Sequence, residues 1–152
     1  MGKAYEIRHL SVEFCNNHPI SEFPEMELKD NRPYLVCLLQ IESNTFAIPF
    51  RTNMKHNYGY KFRNTDRETH SSTGLDFTKA IVITSPADLG NRANISNKEF
   101  LELSEKHFFI RNKFTVYVKN YYKFIQGRLP EILCGAYRYS TLKYFHKELE
   151  IE

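Results

Sequence analysis

The chain has 152 residues, 41% of them hydrophobic and 26% charged, with a formal net charge of +3. That length supports one domain over residues 1–152 with a hydrophobic core of its own, and the composition excludes a low-complexity chain. Cys15, Cys37 and Cys134 are odd in number and lie in no CxxC or Cys/His pattern, which argues against a disulfide framework or a structural zinc site.

The N-terminus lacks the apolar run of a secretory signal, and no stretch approaches the roughly 20 apolar residues of a membrane span. A soluble, cytoplasmic protein without a membrane partner is therefore expected. Residues 4–8 read as a short strand, and Ser11 as the N-cap of a turn of helix ending before Pro19. The acidic stretch 19–33 reads as a surface loop. Tyr34 to Ile41 is apolar nearly throughout and predicts a buried strand, paired through a Ser43–Asn44 turn with a second strand at 45–50. In that second strand Phe46 and Ile48 face one side and Thr45 and Ala47 the other. Pro49 has no N–H for a central ladder, so the chain is expected to leave the sheet there.

A crowded polar stretch follows. Arg51, Thr52, Asn53, Lys55 and His56 bring guanidinium, hydroxyl, amide, ammonium and imidazole together within six positions, a set suited to gripping a phosphodiester. The hairpin would bring Arg32 and Tyr34 to the same rim. Residues 57–73, with Lys61 and Arg63, read as a long polar loop, with 58–62 a candidate short strand. Residues 75–84 read as one further central strand, and 88–94 as turn. Ser96 with Glu99 forms a capping box that opens a helical half. There Ile110, Phe114, Tyr117, Tyr121 and Phe124 recur at spacings of four and three, predicting a long amphipathic helix stopped by Gly127. Pro130 can start a shorter helix, and Ser140 can cap a last one that buries Leu142, Phe145 and Leu149.

Charge is unevenly spread along the chain. Residues 106–147 carry nine Lys and Arg against Glu131 alone, so the remainder is net acidic. With tyrosines interleaved, this is a candidate polyanion-binding half, in which Lys113, Lys119 and Lys123 would point outward from the long helix. Helical spacing also accounts for most of those tyrosines as core.

No glycine-rich phosphate loop, nucleophile elbow, HExxH or Mg²⁺-holding carboxylate cluster is present, which disfavours a metal-dependent nuclease. His56 alone among six histidines lies in a concentrated polar stretch. Cys37, in a buried strand, reads as core.

The ordered blocks NRPYLVCLLQIESNTFAIPFRTNMKH, GLDFTKAIVI and KEF, with the KF..Y...Y run of the helical half, resemble the toxins of type III toxin–antitoxin systems, in the TenpIN branch related to ToxN and the phage-abortive AbiQ proteins. The resemblance spans nearly the whole chain. It implies an α+β fold with a compact antiparallel barrel of the Kid/CcdB kind, decorated by helices. It also implies a metal-independent, cofactor-free endoribonuclease toxin of phage defence by abortive infection. Its partners would be a small repeat RNA antitoxin, which the toxin processes and binds in a higher-order toxin–RNA assembly, and cellular or phage RNA as substrate. Where ToxN has two adjacent hydroxyl residues and then a lysine, this chain has Arg51 and Thr52, with Lys55 three residues on.

Metal-free RNA cleavage uses the neighbouring 2′-OH as nucleophile and leaves 2′,3′-cyclic phosphate and 5′-OH ends. Lys55 and Arg51 would then stabilise the phosphorane, Thr52 and Asn53 hold the phosphate, and His56 or Lys55 move a proton. Arg32, Tyr34, Lys61, Arg63, Lys113, Lys119 and Lys123 would contact RNA. A non-catalytic RNA-binding module using the basic, aromatic-rich C-terminal half is the competing expectation.

Overall fold

The computed structural model describes residues 6–28, 34–52, 54–63 and 73–151. They form an α+β fold of seven antiparallel strands and four α-helices. The strands are β1 (Glu6–Leu10), β2 (Leu35–Ile41), β3 (Asn44–Arg51), β4 (Gly59–Lys61), β5 (Gly74–Asp76), β6 (Ile81–Ile83) and β7 (Leu89–Arg92). The helices are α1 (Val12–Asn17), α2 (Asn97–Glu105), α3 (His107–Ile125) and α4 (Glu131–Arg138).

Strand order is β4-β5-β3-β2-β1-β7, with β6 also paired to β3. This path ends at β4 and β7, so among the described residues the sheet is open and does not close into the barrel that the resemblance implies.

The β2–β3 hairpin forms, with its turn one residue earlier than expected. Ile41 pairs with Asn44, leaving Glu42 and Ser43 as the turn, and Glu42 takes the left-handed conformation at φ 55°. Pro49 does not end β3. It still pairs with Val36, and the next two residues pair with β5, whereas residues 45–47 pair with β6 on that same side. Pro49 thus stands where β3 passes from one neighbour to another, a place where a missing N–H breaks no continuous ladder. Phe46, Ala47 and Ile48 are all buried, so both faces of β3 are covered and the expected in–out alternation is lost.

Residues 75–84 are likewise not one strand. Asp76 ends β5 by accepting from the Thr78 N–H at 2.9 Å, which starts a 3₁₀ turn at Phe77–Lys79 before β6 resumes. Residues 89–92, expected as turn, are the edge strand β7 on β1.

The local signals in the helical half hold. Ser11 Oγ accepts from Phe14 N–H and Ser96 Oγ from Glu99 N–H, so both caps are in place. In α3 the side chains of Ile110, Phe114, Tyr117 and Tyr121 are buried, and Gly127 follows with φ 70°. Phe114 packs edge-on against Phe46 of β3 and Phe77, each at a ring separation of 5.0 Å. These contacts fix the helix to the sheet, and losing a fully buried Phe of this kind costs about 3–5 kcal/mol. Leu142, Phe145 and Leu149 are buried as expected, in a 3₁₀ segment at 141–145 capped by Ser140 and the turns after it.

The acidic stretch after Pro19 is more than a surface loop. Met26 is buried in a 3₁₀ turn at Pro24–Met26, and Glu25 accepts from Lys143 at 2.7 Å and from the Tyr144 hydroxyl. Those hydrogen bonds from Lys143 and Tyr144 hold the Glu25 carboxyl down at about 2, against an ordinary 4.5. A depressed folded-state value means the stabilisation is complete above about 4.5 and is lost as pH falls toward 2. Glu25→Gln should therefore lower the melting temperature at neutral pH. Thermal melts should show its deficit against wild type shrinking as pH is lowered from 4.5 toward 2.

Candidate functional site

Four separate pieces of chain converge at the rim where β3 leaves the hairpin. They are residues 25–27, the end of β3 with 52–56, the 76–79 turn, and the 141–144 segment. At the centre lies Asp76, whose side chain is fully buried. Burying an isolated carboxylate is costly, so its partners matter. Arg51 Nη1 approaches Oδ2 at 3.2 Å, and Thr78 donates to Oδ1 from its backbone N–H and, at 2.6 Å, from its hydroxyl. Nε2 of His56 lies 3.2 Å from Oδ1, too obliquely placed for a hydrogen bond.

The His56 ring is held from its other side as well. The Tyr58 N–H donates to Nδ1 at 3.0 Å, which makes Nδ1 the unprotonated nitrogen and leaves the ring proton on Nε2, toward Asp76. Nδ1 is thus engaged within the protein, while Nε2 has no hydrogen-bond partner among the described residues. Lys55 is different: its side chain is exposed and makes no ion pair among the described residues. Thr52 is exposed beside it. Between them and His56, Met54 is buried at 2% exposure and ties the stretch to the core.

Two residues absent from the sequence reading complete the site. Lys79 donates to the Glu25 carbonyl at 2.6 Å and pairs with Glu27 Oε2 at 2.9 Å. Glu27 also faces Arg51 Nη2 at 3.7 Å, from a left-handed backbone at φ 55°. The Thr141 hydroxyl donates to the Thr78 and Ala80 carbonyls and pins the turn that carries Lys79. The result is a polar cleft of about 480 Å³ lined by Arg51, Thr52, Lys55, His56, Thr78 and Lys79, with Glu27 at its edge.

Of the expected site residues, the structure therefore brings Arg51, Thr52, Lys55 and His56 together. Tyr34 belongs to the same rim, donating its hydroxyl to the Glu27 carbonyl at 2.8 Å. Arg32 and Asn53 lie outside the described residues. Asp76, Thr78, Lys79 and Glu27 were missed. Their signal was the polar interruption of an apolar run: an Asp two residues before a Thr is a local cap, which a single strand over 75–84 does not need.

The expected RNA-contacting lysines form a second group. Lys61 on β4 accompanies Lys113 on α3, and partial burial together with the neighbouring Lys61 charge lowers the Lys113 ammonium from its ordinary value. Lys61 also donates to Asn57 at 3.2 Å, beside the His56 stretch. Lys119 and Lys123 are exposed on α3. Arg63 gives its backbone N–H to the buried Glu102 carboxylate, which also takes the Tyr60 hydroxyl, so its position is set by its backbone. Other basic residues of the C-terminal half are engaged locally, Arg138 with Glu131 and Lys143 with Glu25.

Among the described residues no group of three His, Cys, Asp or Glu side chains could hold a metal ion, and no helix is long and apolar enough to cross a membrane. No protein-family model, curated protein or solved structure matches the chain.

Replacing Lys113, Lys119 and Lys123 together by Gln should weaken RNA binding broadly. Affinity measured across a salt series should lose a slope of roughly 0.7 for each phosphate contact removed on single strands.

Proposed function

We propose that the protein is a metal-independent endoribonuclease that cuts RNA by attack of the 2′-OH on the adjacent phosphorus, and that it acts as a type III toxin restrained by a small repeat RNA. The observation that carries this reading is the polar cleft itself. Arg51, Lys55 and Lys79 bring three cations, and Thr52 and Thr78 two hydroxyls, to one opening over a buried carboxylate.

Such an opening suits a phosphodiester. As the phosphorane forms, an added negative charge develops on its equatorial oxygens, and donors already in place stabilise it without reorganisation. Arg51 is well placed for this: Asp76 holds Nη1, Glu27 lies 3.7 Å from Nη2, and 41% of the side chain stays exposed at the cleft. Lys55, exposed and without an ion pair among the described residues, is a candidate to neutralise the phosphorane and protonate the leaving 5′-oxygen, while the 2′-OH proton passes to solvent water as the new O–P bond forms. His56, whose Nε2 carries the ring proton and has no hydrogen-bond partner among the described residues, is the other candidate to give that proton. Catalysis then rests chiefly on charge stabilisation, with Thr52 holding a phosphate oxygen. The products are a 2′,3′-cyclic phosphate and a 5′-hydroxyl.

The toxin assignment and the kinship with Kid/CcdB barrels rest on the ordered sequence blocks. The open antiparallel sheet with helices on it is compatible with a barrel relative whose strands have parted. Binding of the repeat RNA, its processing and assembly with it into a larger complex follow from the same reading, since a cleavage product held in the cleft is also an inhibitor.

The test is incubation with total RNA in EDTA followed by analysis of the cut ends. Cleavage with cyclic phosphate ends is the expected result. Binding without cleavage would favour the RNA-binding module, and activity only on adding Mg²⁺ or Mn²⁺ would overturn the mechanism. Thr52→Ala and Lys55→Ala alter exposed side chains and should change stability by no more than about 0.5 kcal/mol. Each should nonetheless slow cleavage on the order of a hundredfold, with RNA binding kept by Thr52→Ala and weakened by Lys55→Ala.

A further inference from the structure

Next to the polar cleft lies a second, mostly apolar one of about 320 Å³. That volume falls at the lower end of the roughly 300–1,000 Å³ typical of small-ligand sites. Its walls are the side chains of Leu10, Met26, Leu28, Val36, Phe50 and Ile81, with Tyr34 at the rim. Glu27, Arg51, Thr52 and Lys79 line both clefts and form the divide between them.

A cation-lined opening and a mostly apolar cleft that share one wall match the two ends of a nucleotide. A free anion would use only the first opening, and an apolar ligand would use only the second. A nucleotide places its phosphate among the cations, its base in the slot and its sugar across the divide.

The group that meets the base edge is the Glu27 carboxylate. Its backbone is left-handed, uncommon for a residue with a side chain, and is held there by the Tyr34 hydroxyl on its carbonyl and by its own N–H on the Pro24 carbonyl. Lys79 at 2.9 Å from Oε2 and Arg51 at 3.7 Å from Oε1 fix the carboxylate, and with about half of the side chain exposed each oxygen keeps a further lone pair that no described residue occupies. A carboxylate only accepts hydrogen bonds. Among the four RNA bases guanine alone offers two adjacent donors, N1–H and the 2-amino group, on its Watson–Crick edge. Adenine and cytosine each pair one donor with an acceptor, and uracil flanks one donor with two carbonyls.

We infer that the apolar cleft is a nucleobase subsite that selects guanine beside the scissile phosphate, with Glu27 as the specificity-determining residue. This rests on the RNA-cleaving reading of the neighbouring cleft. Glu27 here reads the base and takes no proton from the 2′-OH.

The experiment is equilibrium binding of the four nucleoside 3′-monophosphates to the full chain, together with mapping of cut sites on a random-sequence RNA in EDTA. The guanine nucleotide should bind at least tenfold more tightly than the other three, and cuts should fall next to guanine. Glu27→Gln replaces one acceptor by a donor, and should erase the guanine preference in nucleotide binding. Leu28→Trp, which fills the slot from a half-buried position, should weaken all four nucleotides toward the affinity of inorganic phosphate.

Equal binding of the four nucleotides, or full guanine preference in Glu27→Gln, would overturn the inference. So would a Glu27→Gln variant that keeps the preference in binding but loses cleavage at every sequence, since Glu27 would then act on the proton. Selective guanine nucleotide binding by a protein that cuts no RNA would instead sink only the nuclease reading. Cleavage without any base preference would sink only the subsite.

Discussion

A carboxylate taken wholly out of water must be met by donors, and in this protein the burial of Asp76 sets the arrangement around it. Its Oδ1 is occupied by the hydroxyl and backbone N–H of Thr78, which turns the chain out of β5 and carries Lys79 to the cleft. Its Oδ2 takes Arg51 from the end of β3. One buried charge thereby brings two cationic residues, Arg51 at the end of β3 and Lys79 in the turn after β5, to the same opening. The Arg51 end of this arrangement is partly wet, with the side chain 41% exposed, which keeps the guanidinium available to an incoming anion.

The sheet makes that meeting possible. β3 is long enough to serve β2 on one side and, in succession, β6 and β5 on the other, so residues 51 and 74 become direct neighbours. Pro49 marks the handover. The C-terminal segment then braces the site from behind, with Thr141 on the 78–80 turn and Lys143 and Tyr144 on Glu25. Residues over a hundred positions apart are therefore required to build one cleft, and none of them is catalytic by itself.

This division explains what could be read in advance. Ser11, Ser96 and Ser140 act on N–H groups two or three residues away, and the α3 stripe repeats along a single helix, so each is visible locally. The cluster Arg51, Thr52, Lys55 and His56 was legible for the same reason, as a dense polar run after an apolar strand. Asp76, Lys79 and Glu27 were not. Their charged partners lie 20 or more positions away, and within their own segments Asp76 and Lys79 only interrupt an apolar run while Glu27 only adds to an acidic one. The unbroken 75–84 strand and the exit at Pro49 failed together, because each assumed that β3 keeps one partner on each side. Which nitrogen of His56 carries the ring proton is set by a single contact, the Tyr58 N–H on Nδ1, which no residue spacing discloses.

The central claim is that Asp76 organises a cation cluster able to cut RNA. Asp76→Asn keeps the shape and one acceptor for the Thr78 cap while removing the charge that holds Arg51. The direct measurement is the single-turnover cleavage rate of this variant in EDTA, taken on protein whose circular dichroism shows it folded. The account predicts a fall of about a hundredfold or more. A folded Asp76→Asn protein that cuts RNA at the wild-type rate would contradict it.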